Sequence, residues 1–197
     1  MRARIKFYVD RIGIEAFRDE VAKELEGDWA KGDFDPTPWM ELPPEMVDEP
    51  PALIPVTEEH TEAEYLKWKA TNALAQQQDG YYAVYVTLPL GDISEGQFPV
   101  LADMARKYSG GRIRTTTEQN LIYRWVPEGH LHAFWSDLVS VNLAEDNANR
   151  ITDVVSCPGT DSCKMGITSS MGVASALRES LRANDIEDPE LAKLHVK

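Results

Sequence analysis

The alternation of short apolar segments between residues 80 and 141 constrains the fold of this chain more than any other feature. Residues 82–88, YAVYVTL, have the β-branched and aromatic content of a strand. Ser94 and Gln97 have the spacing of a capping box, and Gly110 can end the helix that follows. The predicted order is strand 82–88, helix 94–109, strands 112–117 and 121–125, and a helix through Leu131, Phe134, Trp135 and Leu138. This order predicts an α/β (α+β) unit in which helices cover one face of a small sheet.

The segments before this unit differ from it in composition. Residues 1–32 predict helices interrupted at Gly13, with apolar residues at helical spacing up to Leu25. Residues 33–79 predict an acidic, proline-rich connector, because residues 33–65 contain ten acids, seven of the twelve prolines and no Lys or Arg. Residues 80–142 form the predicted α/β unit, and residues 149–197 form a separate C-terminal segment.

Charge narrows the range of partners. The net charge of −13 argues against nucleic acid or an anionic membrane as the main partner. Residues 105–125 are the exception, with five basic residues and a single acid, and they suggest an anionic ligand. The sequence contains no long apolar run that could cross a bilayer and no signal-peptide pattern at its start, so we expect a cytoplasmic protein with reduced thiols.

Both cysteines lie in the segment SCPGTDSCKMG, at Cys157 and Cys163. Asp161 or Ser162 can cap a helix there, which would place Cys163 in its first turn, where a thiolate is favoured. A C-x5-C pair is at most half of a structural zinc site, and no second ligand pair is evident among the histidines at 60, 130 and 132. The spacing alone therefore leaves both a metal or redox role and buried, inert cysteines open.

The rest of the sequence gives a more specific indication of function than the C-x5-C spacing does. The stretch GRIRTTTEQNL, residues 111–121, followed by the C-x5-C pair resembles the sirohaem-dependent nitrite and sulfite reductase family. The resemblance implies a ferredoxin-like half-domain at 80–142, flanked by N-terminal helices and by the start of a sirohaem and [4Fe-4S] domain at 149–197. It also implies that Cys157 and Cys163 are cluster ligands. The candidate sirohaem-carboxylate ligands are Arg112, Arg114, Thr115, Thr117, Gln119 and Asn120. These residues suit a polycarboxylate, because guanidinium groups, hydroxyls and amides donate hydrogen bonds to carboxylate oxygens.

The resemblance implies a six-electron reduction of nitrite to ammonium or of sulfite to sulfide, with ferredoxin or a flavoprotein as electron donor. The chain departs from the family pattern in having two cysteines instead of four and Thr87 where a substrate-binding arginine is expected. We therefore expect a truncated portion of a reductase that holds no cofactor and is inactive alone, and whose exposed sheet edge could pair with a second copy. Two alternatives remain: a thiol redox or metal-sensing protein, and a non-catalytic α/β interaction domain.

Overall fold

The computed structural model describes residues 5–32, 40, 50–184, 186 and 188–196. The chain divides into two compact units, Met1–Val47 and Asp48–Lys197. The acidic, proline-rich connector is predicted over residues 33–79, and most of its first part, residues 33–49, lies outside the described residues. No helix in the described parts of the chain has the length and apolar character needed to cross a membrane.

Two helices lie within residues 5–32, the continuous described part of the first unit. Helix α1 spans Ile5–Ile12, helix α2 spans Ile14–Leu25, and a 3-10 turn follows at Asp28–Lys31. Gly13 separates the two helices with a φ of 85°, a conformation that glycine adopts without the steric cost of a Cβ atom. The predicted interruption at Gly13 is confirmed.

The second unit is built on a four-stranded antiparallel sheet. Its strands are β1 (Ala73–Ala75), β2 (Tyr81–Val86), β3 (Arg114–Thr115) and β4 (Leu121–Pro127), in the order β1-β2-β4-β3. Val84 is the register partner of Ala73 on one side and of Tyr123 on the other. Leu121 pairs with Thr115, so the short β3 forms one edge of the sheet.

Five helices belong to the described part of this unit: α3 (Ala63–Asn72), α4 (Gln97–Tyr108), α5 (Leu131–Ser140), α6 (Ser170–Ala183) and α7 (Pro189–Ala192). Helix α5 contacts both α3 and α4, and α4 also contacts β4. The core contains fully buried side chains from helices α3, α4 and α5 and from strands β2 and β4. They include Trp68, Val84, Met104, Tyr108, Tyr123, Phe134 and Leu138. The predicted α/β class is confirmed.

The predicted caps of helix α4 are confirmed by their hydrogen bonds. The Ser94 backbone N–H donates to Gln97 Oε1 over 2.9 Å, which is one of the two bonds of a capping box, and the helix itself begins at Gln97 after Gly96. At the other end, the Gly111 N–H donates to the Ala105 carbonyl over 2.8 Å, and Gly110 has a φ of 67°. Both signals were readable because a cap depends only on residues that are close in sequence.

The prediction of a connector over all of residues 33–79 is wrong in its C-terminal part. Residues 63–72 form helix α3 and residues 73–75 form strand β1, the other edge of the sheet. The helix was missed because its apolar face is short, and its stability comes from burying Trp68 against Phe134, with ring centroids 6.2 Å apart. Residues 50–62 contain no helix or strand and contact the sheet unit, with the Tyr81 hydroxyl donating to the Pro51 carbonyl over 2.6 Å.

Two further boundaries differ from prediction. The strand predicted over residues 112–117 is limited to Arg114–Thr115, because Thr116 and Gln119 form a turn that leads directly into β4. The helix predicted from Asp161 or Ser162 begins at Ser170, capped by the Ser169 hydroxyl, which accepts from the Gly172 N–H over 3.2 Å. Residues 159–161 form only a 3-10 turn.

Candidate functional site

Three segments meet at one end of the sheet. They are the 3-10 turn Pro89–Gly91, the turn before β4, and the chain just before Cys157. Gln119 joins all three: its Nε2 donates to the Ser156 carbonyl over 2.9 Å, and its Cβ would lie 3.1 Å from a Cβ placed on Gly91. This contact brings the basic, hydroxyl-rich segment next to the cysteine segment.

Asn120 is buried beneath this turn and carries a second connection between the same segments. Its Oδ1 accepts from the Leu88 N–H over 2.8 Å, and its Nδ2 donates to Asp153 Oδ2 over 2.8 Å. Only 2% of the residue is exposed, so both ends of its amide are committed to the protein interior. The structure therefore places Asn120 as a link between the sheet and the segment that leads to Cys157.

Asp153 is a buried carboxyl group that the sequence reading did not single out. Burial raises its pKa above the usual value for an aspartate, while the hydrogen bonds from Asn120 and from the Asn149 backbone N–H act in the opposite direction. Burying a carboxylate costs free energy unless it has hydrogen-bond or ion-pair partners. These two donors therefore reduce the cost of burying Asp153. No local motif marks Asp153, because its side-chain donor, Asn120, lies 33 residues away in the sequence.

The remaining candidate sirohaem ligands lie on or beside strand β3. Arg112 is half-buried just before the strand, and its carbonyl accepts from the Ser109 hydroxyl over 3.0 Å. Arg114 and Thr115 are exposed in the strand itself. Thr117 is exposed in the following turn, where its hydroxyl donates to Glu118 Oε1 over 2.7 Å. The structure thus groups five candidate donors around one exposed edge and keeps Asn120 beneath them.

The thiol of Cys157 is exposed and lies against the start of helix α6. Its Sγ is 3.3 Å from the Ser170 hydroxyl oxygen. The hydrogen bond with Ser170, followed by one with the Gly159 backbone N–H, lowers the pKa of this thiol below its usual value. Hydrogen bonds of this kind favour the thiolate, which is the form that binds metals and reacts as a nucleophile.

Cys163 is also an exposed, free thiol, but it precedes helix α6 instead of lying in its first turn. Its backbone N–H donates to the Gly159 carbonyl over 3.0 Å and its carbonyl accepts from the Gly166 N–H over 2.9 Å. The loop is tightly packed, since a Cβ on Gly159 would lie 2.6 Å from the Ser170 nitrogen. Because both thiols are exposed, the interpretation of the cysteines as buried and inert is wrong.

The chemistry of these side chains can be compared with the ligands that sirohaem and a [4Fe-4S] cluster, the two cofactors of the family that the sequence resembles, require. Two exposed thiols, one with an amide hydrogen bond to its sulfur, fit half of the four-thiolate ligand set of a [4Fe-4S] cluster. Two guanidinium groups and neighbouring hydroxyls fit the carboxylates of a sirohaem. Thr87, in contrast, is buried, and its hydroxyl donates to Asn147 Oδ1 over 2.7 Å. It therefore forms part of the hydrogen bonding of the protein interior.

The effect of Ser170 on Cys157 can be measured. With Cys163→Ser removing the second thiol, the rate of iodoacetamide alkylation follows the thiolate fraction as pH rises. We expect Ser170→Ala to move the midpoint of this profile to higher pH, because it removes the largest influence that lowers the Cys157 pKa. Ser162→Ala, an exposed change in the same loop, serves as the control and leaves the profile unchanged. Identical profiles for Ser170→Ala and its parent would contradict the assignment.

The fold and the site together define a ferredoxin-like α/β half-domain joined to a thiol-bearing segment. Residues 74–141 match the family model described as the nitrite/sulfite reductase ferredoxin-like half domain. Through this half-domain the chain is similar to the nitrite and sulfite reductases.

Several curated proteins resemble nearly the whole chain. The assimilatory ferredoxin-dependent nitrite reductase of Haloferax mediterranei is 27% identical over 96% of this chain and 30% of its own length. The ferredoxin–nitrite reductase of Synechococcus elongatus is 24% identical over 98% of this chain and 33% of its own length. An assimilatory-type sulfite reductase of Nitratidesulfovibrio vulgaris is 25% identical over 57% of this chain and 51% of its own length. The chain thus spans about a third of the length of the two nitrite reductases.

Proposed function

We propose that this chain contributes one part of a sirohaem and [4Fe-4S] reductase that acts on nitrite or sulfite. The observation that carries the proposal is the Gln119–Ser156 hydrogen bond of 2.9 Å, which holds the basic edge beside the cysteine segment. A cluster and a sirohaem that exchange electrons must lie close together, and this contact brings their candidate ligands together.

In this proposal the division of roles follows the chemistry of the side chains. Arg112 and Arg114 pair with sirohaem carboxylates, and the neighbouring Thr115, Thr117 and Gln119 donate further hydrogen bonds. Cys157 and Cys163 supply two cluster thiolates, and the Gly159 N–H donates to the Cys157 sulfur. When bound, the cofactors would pass six electrons, taken from the external donor, to the anion. Asn120, buried below, positions the two segments through Leu88 and Asp153.

The proposed partners follow from the relatives and from charge. Two relatives are named as ferredoxin-dependent, which supports nitrite as substrate and a ferredoxin as donor. A flavoprotein donor fits the same scheme. The chain carries a net charge of −13, so an acidic ferredoxin would dock on another, less acidic surface of the reductase. Pairing of two copies through an exposed sheet edge stays a prediction, which sedimentation at increasing protein concentration checks.

The basic edge can be tested on the chain itself with uroporphyrin, an iron-free polycarboxylate porphyrin. We expect binding, followed by fluorescence, that weakens as salt is added, because the attraction is ionic. The double variant Arg112→Ala/Arg114→Ala should bind more than about tenfold less tightly, since each charge-assisted hydrogen bond contributes about 1.5–3 kcal/mol.

The matched control is Arg106→Ala, which removes an exposed arginine of helix α4 that pairs with Asp103 over 2.6 Å. Arg106→Ala removes one positive charge, as Arg112→Ala or Arg114→Ala alone would. Arg106, however, lies outside the proposed edge. If Arg106→Ala weakens uroporphyrin binding as much as Arg112→Ala does, the binding reflects overall charge and the proposed carboxylate site is wrong.

A second candidate, a thiol redox or metal sensor, is favoured by the lowered pKa of the exposed Cys157 thiol. Anaerobic incubation with ferrous iron and sulfide separates the two functions. Thiolate–iron absorbance that disappears in both Cys157→Ser and Cys163→Ser supports the reductase. A chain that takes up no iron but forms a reversible disulfide between the two cysteines supports the sensor instead.

A further inference from the structure

A second group of potential ligands lies away from the cysteines, where residues 50–62 contact helices α3 and α5. His60 belongs to that segment, Glu62 is the N-cap residue of α3, and His132 lies in the first turn of α5. One ligand atom from each of these side chains lies within 4.8 Å of the other two. The histidines are 72 positions apart in sequence, so the tertiary fold alone brings them together.

The two imidazole rings are stacked face to face. Their centroids are 3.5 Å apart and their planes differ by 2°. Tyr65, a buried residue of α3, packs edge-on against both rings, with centroid distances of 5.9 Å to His60 and 5.0 Å to His132. The core therefore holds the two rings side by side, and one ring has to turn out of the stacked orientation before both imidazole nitrogens can point at one ion.

The carboxylate completes a convergent set. Glu62 Oε1 lies 3.2 Å from His132 Nε2. In a tetrahedral zinc site with bonds of about 2.0–2.2 Å, ligand atoms lie roughly 3.3–3.6 Å apart. The Glu62–His132 separation of 3.2 Å is close to this range, the three ligand atoms lie within 4.8 Å of one another, and small side-chain rotations bring in the third atom.

The surroundings are suited to a cation. A cavity of about 200 Å³ adjoins the cluster, and its lining includes the carboxylates of Glu58, Glu59 and Glu128. Lys69, a cation in the same lining, forms an ion pair with Glu128 over 3.1 Å. The exposed side of Glu62 leaves room for water or another small ligand, as zinc sites with three protein ligands require.

We propose that His60, Glu62 and His132 form a binding site for a divalent transition-metal ion, with zinc as the ion that best suits two imidazoles and one carboxylate. Such an ion would join residues 50–62 to helices α3 and α5 and close a long loop of the chain. The site is separate from the proposed cofactor site, because it uses neither cysteine and none of the residues of the basic edge.

Isothermal titration with ZnCl2 tests the proposal on the full chain after both thiols have been blocked with iodoacetamide. We expect one zinc ion per chain, with His60→Ala, His132→Ala and Glu62→Gln each weakening binding by more than about tenfold, as loss of even an outer-shell partner can do. His195→Ala, a histidine change outside the cluster, should bind as the unaltered chain does.

Two results would overturn the site: no zinc uptake by the alkylated chain, or unchanged affinity in both His60→Ala and Glu62→Gln. The second result is decisive even if His132→Ala perturbs folding, because His60 and Glu62 lie outside helix interiors. A thermal melt adds an independent measurement: zinc should raise the melting temperature of the alkylated chain and leave that of His60→Ala unchanged. An equal rise in both proteins would contradict the proposal.

Discussion

Replacing Trp68 with alanine should lower the free energy of unfolding of residues 48–197 by about 3–5 kcal/mol, a large part of the stability of a typical domain. Trp68 is fully buried in helix α3 and stacks between Tyr65 and Phe134, at centroid distances of 6.2 Å to each. Truncation removes these contacts and leaves a cavity that the surrounding helices cannot fill completely. Urea denaturation followed by far-ultraviolet circular dichroism gives the difference.

Trp68→Phe is the matched variant, with an expected loss of roughly 1–2 kcal/mol. It leaves a smaller cavity and removes the indole N–H, which is buried and has no hydrogen-bond acceptor among the described residues. Trp29→Ala, a change at an exposed tryptophan of the first unit, should alter stability little. If Trp68→Ala unfolds at the same urea concentration as the unaltered chain, helix α3 is not part of the core and residues 63–72 are a connector after all.

Asn120→Ala should cost about 2–4 kcal/mol, because it leaves the Leu88 N–H and the Asp153 carboxylate without the partner that satisfies both. Thr117→Ala, three residues earlier in the same turn but exposed, should change stability by less than about 0.5 kcal/mol. A comparable loss in both variants would mean that the turn, and not the buried amide, provides the stability.

The same variant has a pH dependence whose sign follows from Asp153. Burial raises the folded-state pKa of this carboxyl, so its contribution to stability is present at pH below the unfolded value of about 3.9 and is lost as pH rises through the folded value. The Asn120 hydrogen bond opposes this rise. Its removal raises the Asp153 pKa further, so the cost of Asn120→Ala should be larger at pH 7 than at pH 4. An equal or larger cost at pH 4 would contradict this account.

The relation between sequence and structure is clearest in residues 80–141. The capping box at Ser94 and Gln97 and the helix end at Gly110 were predicted correctly, because each depends on hydrogen bonds between residues only a few positions apart. The helix predicted from Asp161 was placed too early for a physical reason. Gly159 and Gly166 pack backbone against backbone, and this tight loop delays the helix until Ser170.

The basic edge and the thiols could be identified in the sequence because charged and nucleophilic side chains are visible without a fold. Their proximity depends on Gln119 and Ser156, and neither residue's partner can be read from its neighbours. The same holds for Asp153, whose side-chain donor, Asn120, belongs to another segment.

By itself, the sequence determined the order of strands and helices in the half-domain, the caps of helix α4 and the C-x5-C pair, since these follow from local periodicity and spacing. Tertiary structure alone decided that residues 63–75 belong to the core and that His60 meets His132. It also buried Asn120 between two segments. These features depend on contacts between residues that are distant in the chain. The free energy of such contacts cannot be predicted from a local sequence pattern.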